Sequence, residues 1–270
     1  MKERYFQESN MLVDTHAHIH FEDYENDIGI IFENCKETNV KKIITVGTDE
    51  IDSKKALEFC FKHNAEHTQV YASAGLHPHS ADSGEDSLLT IKDLVLSGGY
   101  GSKLVAVGEC GLDYYRNQSS KQSQIKALEF QIELAIDQSL PLIFHVRDAW
   151  EDFFAIIRKY PEARGVIHSF TGGTEEVRQA SQLNLYFGLN GIMTFTKDPN
   201  QLEAAKAIPS SRLVLETDCP FLTPEPKRGK RNEPANIKYV AEFLAKLRGE
   251  TFSQICQSSS TNAKTLFGLK

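Results

Sequence analysis

The chain has 270 residues, 40% hydrophobic and 25% charged, with a formal net charge of −7. This length suits one large domain, the composition is that of an ordinary globular protein, and no apolar run approaches the roughly 20 residues of a membrane span. The acidic balance argues against a protein that coats nucleic acid non-specifically, though it leaves room for a local basic site; five cysteines without a C-x-x-C spacing argue against a disulfide framework or a thiolate zinc site.

Residues 1–10 are polar and charged and lack the apolar core of a signal peptide. They read as a leader to one domain over 11–270, with the cytoplasm as the expected location. From there short β-rich runs alternate with segments of helical period. Strands are expected at 11–14, 42–46, 70–74, 104–108, 140–144, 165–167, 185–189 and 213–216. They are mostly continuous apolar runs, as in parallel sheets buried on both faces. Between them, Ile28, Ile31, Phe32 and Cys35 share one helical face, as do Ile125, Leu128, Ile132 and Ala135. Phe153, Ile156 and Ile157 mark another helix, and Thr174 is a cap candidate for one carrying Val177 and Leu183. Helices near 237–247 and 252–266 close the chain. The alternation predicts an α/β fold, a single-domain (β/α)8 TIM barrel. A doubly wound open sheet is the alternative, weakened because no glycine-rich phosphate loop follows the first strand.

In a barrel the active site forms at the C-terminal ends of the strands. The first strand ends in His16 and His18, two apart and so on one side of an extended chain. The third leads to His77 and His79, the fourth to Glu109, the fifth to His145 and Arg147, the sixth to His168 and the eighth to Asp218. Seven of the nine histidines fall at or next to such ends, whereas His63 and His67 read as solvated helix-end residues. Four imidazoles and two carboxylates suit a pair of divalent ions, with Glu109 as the natural bridge. Asp218 can bind one ion and hydrogen-bond an attacking water. Two dications against two carboxylates leave a site that activates water and clamps a displacement at phosphorus.

The motifs Asp14-Thr15-His16-Ala17-His18, Gly75-Leu76-His77-Pro78-His79, Gly108-Glu109-Cys110-Gly111-Leu112-Asp113-Tyr114, His145-Val146-Arg147-Asp148, His168-Ser169-Phe170 and Glu216-Thr217-Asp218-Cys219-Pro220 resemble those of the TatD family of metal-dependent DNases, amidohydrolase-like TIM barrels. The resemblance runs from about Met11 to the C-terminus and includes Arg228-Gly229-Lys230-Arg231-Asn232-Glu233-Pro234. It implies a divalent-metal nuclease with His16, His18, Glu109, His145, His168 and Asp218 as ligands, Asp218 and Glu109 as catalytic carboxylates, and a 3′→5′ exonuclease direction. The ions would be Mg2+, Mn2+ or Zn2+. DNA, as single strands or 3′ ends, is the expected substrate, with RNA a second candidate; a monomer with no membrane partner is expected. Cys110 and Cys219 stand where the family usually has an aliphatic residue and serine, and neither departure touches a ligand.

The remaining polar residues carry two readings each. Arg116 and Arg147 can pair with phosphate or form surface ion pairs. His77 and His79 can donate to a phosphate or pack structurally. Tyr114 and Tyr115 can stack on a base or pack at the rim. Thr171-Gly172-Gly173-Thr174 can hold an anion or be a plain tight loop. Lys227, Arg228, Lys230 and Arg231 crowd the loop after the eighth strand, either as a phosphate track or as a solvated loop. Cys110 and Cys219 read as buried fillers. The rival functions are a C–N or C–O hydrolase on the same barrel, such as a lactonase or aminoacyl-ester deacylase, and a non-enzymatic metal-binding scaffold.

Overall fold

The computed structural model of the protein describes residues 10–63 and 67–270, so all of the expected leader except Asn10 lies outside the described residues. Eight strands, β1 (Leu12–Ala17), β2 (Val40–Val46), β3 (Gln69–Ala74), β4 (Leu104–Asp113), β5 (Leu142–Arg147), β6 (Gly165–His168), β7 (Leu185–Leu189) and β8 (Leu213–Leu215), form one sheet in sequence order. Every neighbouring pair is parallel. The helices between and after them are α1 (Ile28–Glu37), α2 (Glu50–Lys62), α3 (Glu85–Leu96), α4 (Lys121–Asp137), α5 (Trp150–Ile157), α6 (Thr174–Ser181), α7 (Pro199–Ala207), α8 (Ile237–Arg248) and α9 (Phe252–Phe267). This is the expected single-domain (β/α)8 barrel. No helix among the described residues is long and apolar enough to cross a membrane.

Two apolar layers hold it. One joins the outer strand faces to the helices, with Ile31 and Cys35 of α1 and Leu128, Ile132 and Ala135 of α4 fully or almost fully buried. The other fills the barrel floor: Val13, Ile44, Val105, Ile143, Val166 and Val214 meet Ala263, Leu266 and Phe267 of α9. Each buried aliphatic or aromatic side chain contributes roughly 1.5–3 kcal/mol. With an apolar floor, the strands' polar ends are left for the opposite mouth. On β5, Ile143, His145 and Arg147 alternate onto one face. The first joins the floor layer, and the other two continue toward the mouth.

The seam between β8 and β1 is closed largely by side chains and the residues just past β8. The Asp218 amide donates to the His16 carbonyl and the His18 amide to the Cys219 carbonyl, both at 2.8 Å. Thr15 Oγ1 donates to the Leu215 carbonyl at 3.0 Å. The buried Asp14 carboxyl accepts from the Thr217 amide at 3.0 Å and bonds the Thr217 hydroxyl at 2.6 Å. The seam therefore fixes His16, His18 and Asp218 against one another.

Four local expectations need correction, the first being β5, which is expected at 140–144 and lies at Leu142–Arg147. β4 does not stop at residue 108 but runs to Asp113, with a register shift at Gly108/Cys110. Glycine permits the irregular backbone here: Gly108 and Gly111 have φ of +143° and +147°. A Cβ on Gly111 would stand 1.9 Å from the His145 carbonyl oxygen. β1 likewise continues through His16 to Ala17, with its own register shift between Asp14 and Ala17. Finally, Thr174 is the first residue of α6 rather than its cap; Gly173 is the cap, and Leu183 lies past the helix.

Candidate metal centre

Glu109 stands at the middle of the mouth, 4% exposed. Its Oε2 lies 3.3 Å from His16 Nε2. Its Oε1 lies 2.9 Å from His145 Nδ1, 3.4 Å from His77 Nε2 and 3.8 Å from His168 Nε2. Asp218 Oδ1 is 3.4 Å from His18 Nε2 and 3.6 Å from His16 Nε2. Asp218 itself has φ +56°, a left-handed conformation that a non-glycine residue keeps only where its surroundings enforce it. The amide bond to His16 and the Phe221 amide donating to the Asp218 carbonyl at 2.9 Å supply that enforcement.

The outer partners of each imidazole decide which nitrogen offers a lone pair. His18 Nδ1 faces the Val46 carbonyl at 2.8 Å, so it carries the proton and Nε2 is free to ligate. His145 bonds carboxylates through both nitrogens, Nε2 to Asp113 Oδ2 at 3.1 Å on the outer side and Nδ1 to Glu109 Oε1 at 2.9 Å on the inner, so a ring neutral with its proton on Nε2 offers Nδ1 to the centre. His168 Nδ1 lies 3.0 Å from Glu216 Oε1, and its Nε2 is 3.8 Å from Glu109 Oε1. In the neutral ring all three turn a lone pair inward, so a metal ion must displace the inner proton of any of them that is charged. His77 does the reverse: its Nδ1 accepts from the His79 amide at 3.1 Å, so the neutral ring has its proton on Nε2. It therefore faces Glu109 as a donor. Proximity groups His77 with Glu109 and His145, yet the tautomer makes His77 a poor metal ligand. His16 has neither nitrogen hydrogen-bonded, although both are buried.

The electrostatics follow from this crowding. Burial holds His16 below the usual imidazole value, and the His168 ring stacked 3.5 Å away adds to it. Burial depresses His77 to about 4, which keeps it neutral. For His168 burial opposes the charge, but Glu216 and Glu109 outweigh it and push the pKa to about 10. Burial also opposes the charge on Glu109 and Asp218; the surrounding imidazoles outweigh it and hold both carboxyls below the usual carboxylate range. Both carboxylates are therefore anionic at neutral pH, ringed by neutral or cationic nitrogen donors.

A family model described as TatD related DNase matches residues 13–268. The chain belongs to that family. It is 42% identical over 260 residues to the "Uncharacterized metal-dependent hydrolase YabD" of Bacillus subtilis, covering 95% of this chain and 99% of that protein. It is 32% identical over 254 residues to the "3'-5' ssDNA/RNA exonuclease TatD" of Erwinia amylovora, covering 91% and 95%. Among solved structures, the TatD homologue YJJV of Escherichia coli superposes with a TM-score of 0.89 at 27% identity, covering 97% of this chain and all of that one. This TatD-family protein is thus a metal-dependent hydrolase, and its donor set fits that chemistry. The buried, unbonded nitrogens of His16 would cost several kcal/mol in a centre meant to stay metal-free. The groups His16–His168–Asp218 and His16–His18–Glu109 bring one donor atom from each residue within 4.8 Å of the others.

The structure separates the other candidates. His79 Nε2 bonds Asp113 Oδ2 at 2.9 Å, on the rim. Arg147 and Arg116 have no ion-pair partner among the described residues; their guanidinium carbons lie 4.0 Å and 5.8 Å from the Tyr115 ring centroid. Arg231, in contrast, is committed to Asp27, the Asp23 carbonyl and the Tyr24 ring. Arg228 lies over Phe195 and donates to the Thr223 carbonyl. Lys230 is exposed and, among the described residues, without an ion pair. In Thr171–Thr174 the Gly173 amide is taken by Glu176 at 2.8 Å, and Glu175, Asp198 and Glu203 line the adjacent cavity, so nothing there favours an anion. Cys110 and Cys219 are fully buried thiols with pKa pushed up by burial.

Sequence reasoning quoted Asp113 and Glu216 without giving them a role, and passed over Gln124 and Gln131 altogether. Gln124 accepts from the Asp113 amide and donates to its carbonyl. Gln131 does the same to Leu76, beside His77. Both are buried polar residues on the inward stripe of α4. A glutamine where helical period calls for an apolar residue was the available signal.

Proposed function

We propose that the protein is a deoxyribonuclease that removes nucleotides from the 3′ end of single-stranded DNA, with RNA as a second substrate. The observation that carries this reading is Arg147. It lies two residues beyond His145 on the same strand face and, among the described residues, has no carboxylate to neutralise it. A guanidinium left unpaired at the edge of a carboxylate–imidazole cluster suits a phosphodiester better than a neutral ester or lactone. The name of the Erwinia amylovora relative points the same way.

His16, His18, Asp218 and Glu109 would hold one divalent ion, and Glu109, His145 and His168 a second; Mg2+, Mn2+ and Zn2+ are the candidates. When bound, such ions polarise the phosphate and make water more acidic. Asp218, kept anionic by His18, orients the attacking water and accepts its proton. The water oxygen bonds to phosphorus as the bond to the leaving oxygen breaks, and that oxygen takes up a proton from solvent to leave as a hydroxyl. His77 donates its Nε2 proton in a hydrogen bond to a phosphate oxygen, and Arg147 and Arg116 bind the charge from outside. Asp113 fixes the His145 ring and Glu216 the His168 ring. We place the protein in the cytoplasm, where its five free cysteines stay reduced.

The test is incubation with 5′-labelled oligonucleotides, single- and double-stranded, DNA and RNA, with each of the three metals, beside an aryl ester and a lactone. A descending ladder on single strands is expected. Asp218→Asn should lower kcat by about 10²–10⁴-fold, the usual contribution of a positioned base. Turnover of the ester or lactone with intact oligonucleotides would overturn the reading.

A further inference from the structure

The loop after β4 carries two adjacent tyrosines in unlike settings. The Tyr114 hydroxyl donates to Asp152 at 2.7 Å, and Lys121 Nζ sits 3.9 Å from its ring centroid. That ring is committed to packing. Tyr115 is 59% exposed, but its position is set. On one side the Tyr114 amide donates to the Arg147 carbonyl at 2.9 Å. On the other the Arg116 amide donates to Asp113 Oδ1 at 2.8 Å. The Arg147 guanidinium lies over the Tyr115 ring at 4.0 Å and that of Arg116 more loosely at 5.8 Å, and more than half of the residue stays open to solvent.

The ring is also close to the chemistry. Asp113, two residues before it, contacts His145 through Oδ2. Arg147 is two residues past His145, roughly 6.6 Å along the strand. An exposed aromatic ring contributes little to folding, and an unpaired guanidinium keeps five N–H donors unspent. Together they offer what a nucleotide presents: a flat face for a base and donors for a phosphate.

We propose that Tyr115, backed by Arg147, is the stacking platform for an unpaired base beside the scissile phosphodiester. This rests on the nuclease reading and adds the residue that reads the base. A base inside a duplex must first leave its stack before it can lie on the ring, so the platform favours frayed or single-stranded ends.

The test compares two 5′-labelled single-stranded DNA oligonucleotides with Mn2+. One carries thymines on both sides of the last phosphodiester, the other abasic tetrahydrofuran residues there. Wild type should cleave the first with about tenfold higher kcat/KM, which corresponds to about 1.4 kcal/mol. Tyr115→Ala should erase that preference, and Tyr115→Trp, which keeps an aromatic face, should retain it. If Tyr115→Ala keeps the tenfold preference, the platform is elsewhere. If wild type cleaves both equally, the nuclease reading stands and the platform falls. If wild type cleaves neither, the nuclease reading falls and takes the platform with it.

Discussion

At the scale of single residues, the centre is organised by where each imidazole sends its second nitrogen. His18, His145 and His168 spend one nitrogen on, or turn it toward, Val46, Asp113 and Glu216 and present the other inward, whereas His77 presents a proton. Removal of His16 and His18 together should therefore cost at least one bound ion per chain, read by elemental analysis. His77→Ala should leave the metal content unchanged and lower kcat by about 10²-fold, the effect of losing one donor to a charged oxygen. Loss of metal from His77→Ala would reverse the tautomer assignment. The histidines, Glu109 and Asp218 were readable from the sequence because each stands at the end of an apolar run. Their division into ligands and donor came with the family resemblance, and the spacing alone does not give it. It depends on partners from other strands, such as Asp113, 32 residues before His145, and on one backbone amide, that of His79.

At the scale of elements, bulges and one seam place those residues. The expected end of β4 is residue 108, yet two glycines at positive φ carry the strand onward to Asp113, as a bulge at a strand glycine allows. The β1–β8 seam depends on Asp14, whose carboxyl is pushed up to about 8 by burial, with Glu216 adding a smaller effect in the same direction; its bonds to Thr217 and His16 oppose the shift. At neutral pH it is largely protonated, and its bond to Thr217 Oγ1 can run in either direction. A folded pKa above the unfolded one gives stability that is full below about 4 and is lost as pH rises through about 8. Asp14→Asn mimics the protonated form. Urea titrations from pH 5 to pH 9 should show wild type losing stability with rising pH and the variant losing less. Equal slopes would mean that Asp14 ionises freely in the fold. None of this is visible along the sequence, where Asp14 looks like one more strand-end carboxylate.

At the scale of the molecule, the barrel gathers donors from β1, β4, β5, β6 and the residue stretch after β8 at one mouth, above an apolar floor sealed by α9. That layout was legible because six of the eight apolar runs led into histidines or carboxylates. The attraction for a polyanion was legible only in part. An acidic protein of net charge −7 must concentrate its free cations locally, and the sequence could not distinguish Arg147, unpaired at the mouth, from Arg231, neutralised by Asp27. The donor set of this mouth suits two ions sharing Glu109, as proposed above. Anomalous diffraction at the zinc edge from Zn2+-soaked crystals tests it most directly. Two peaks are expected, one against His16, His18 and Asp218 and one against His145 and His168, with Glu109 between them and His77 bound to neither. A single peak, or one held by His77 Nε2 in place of His168, would contradict it.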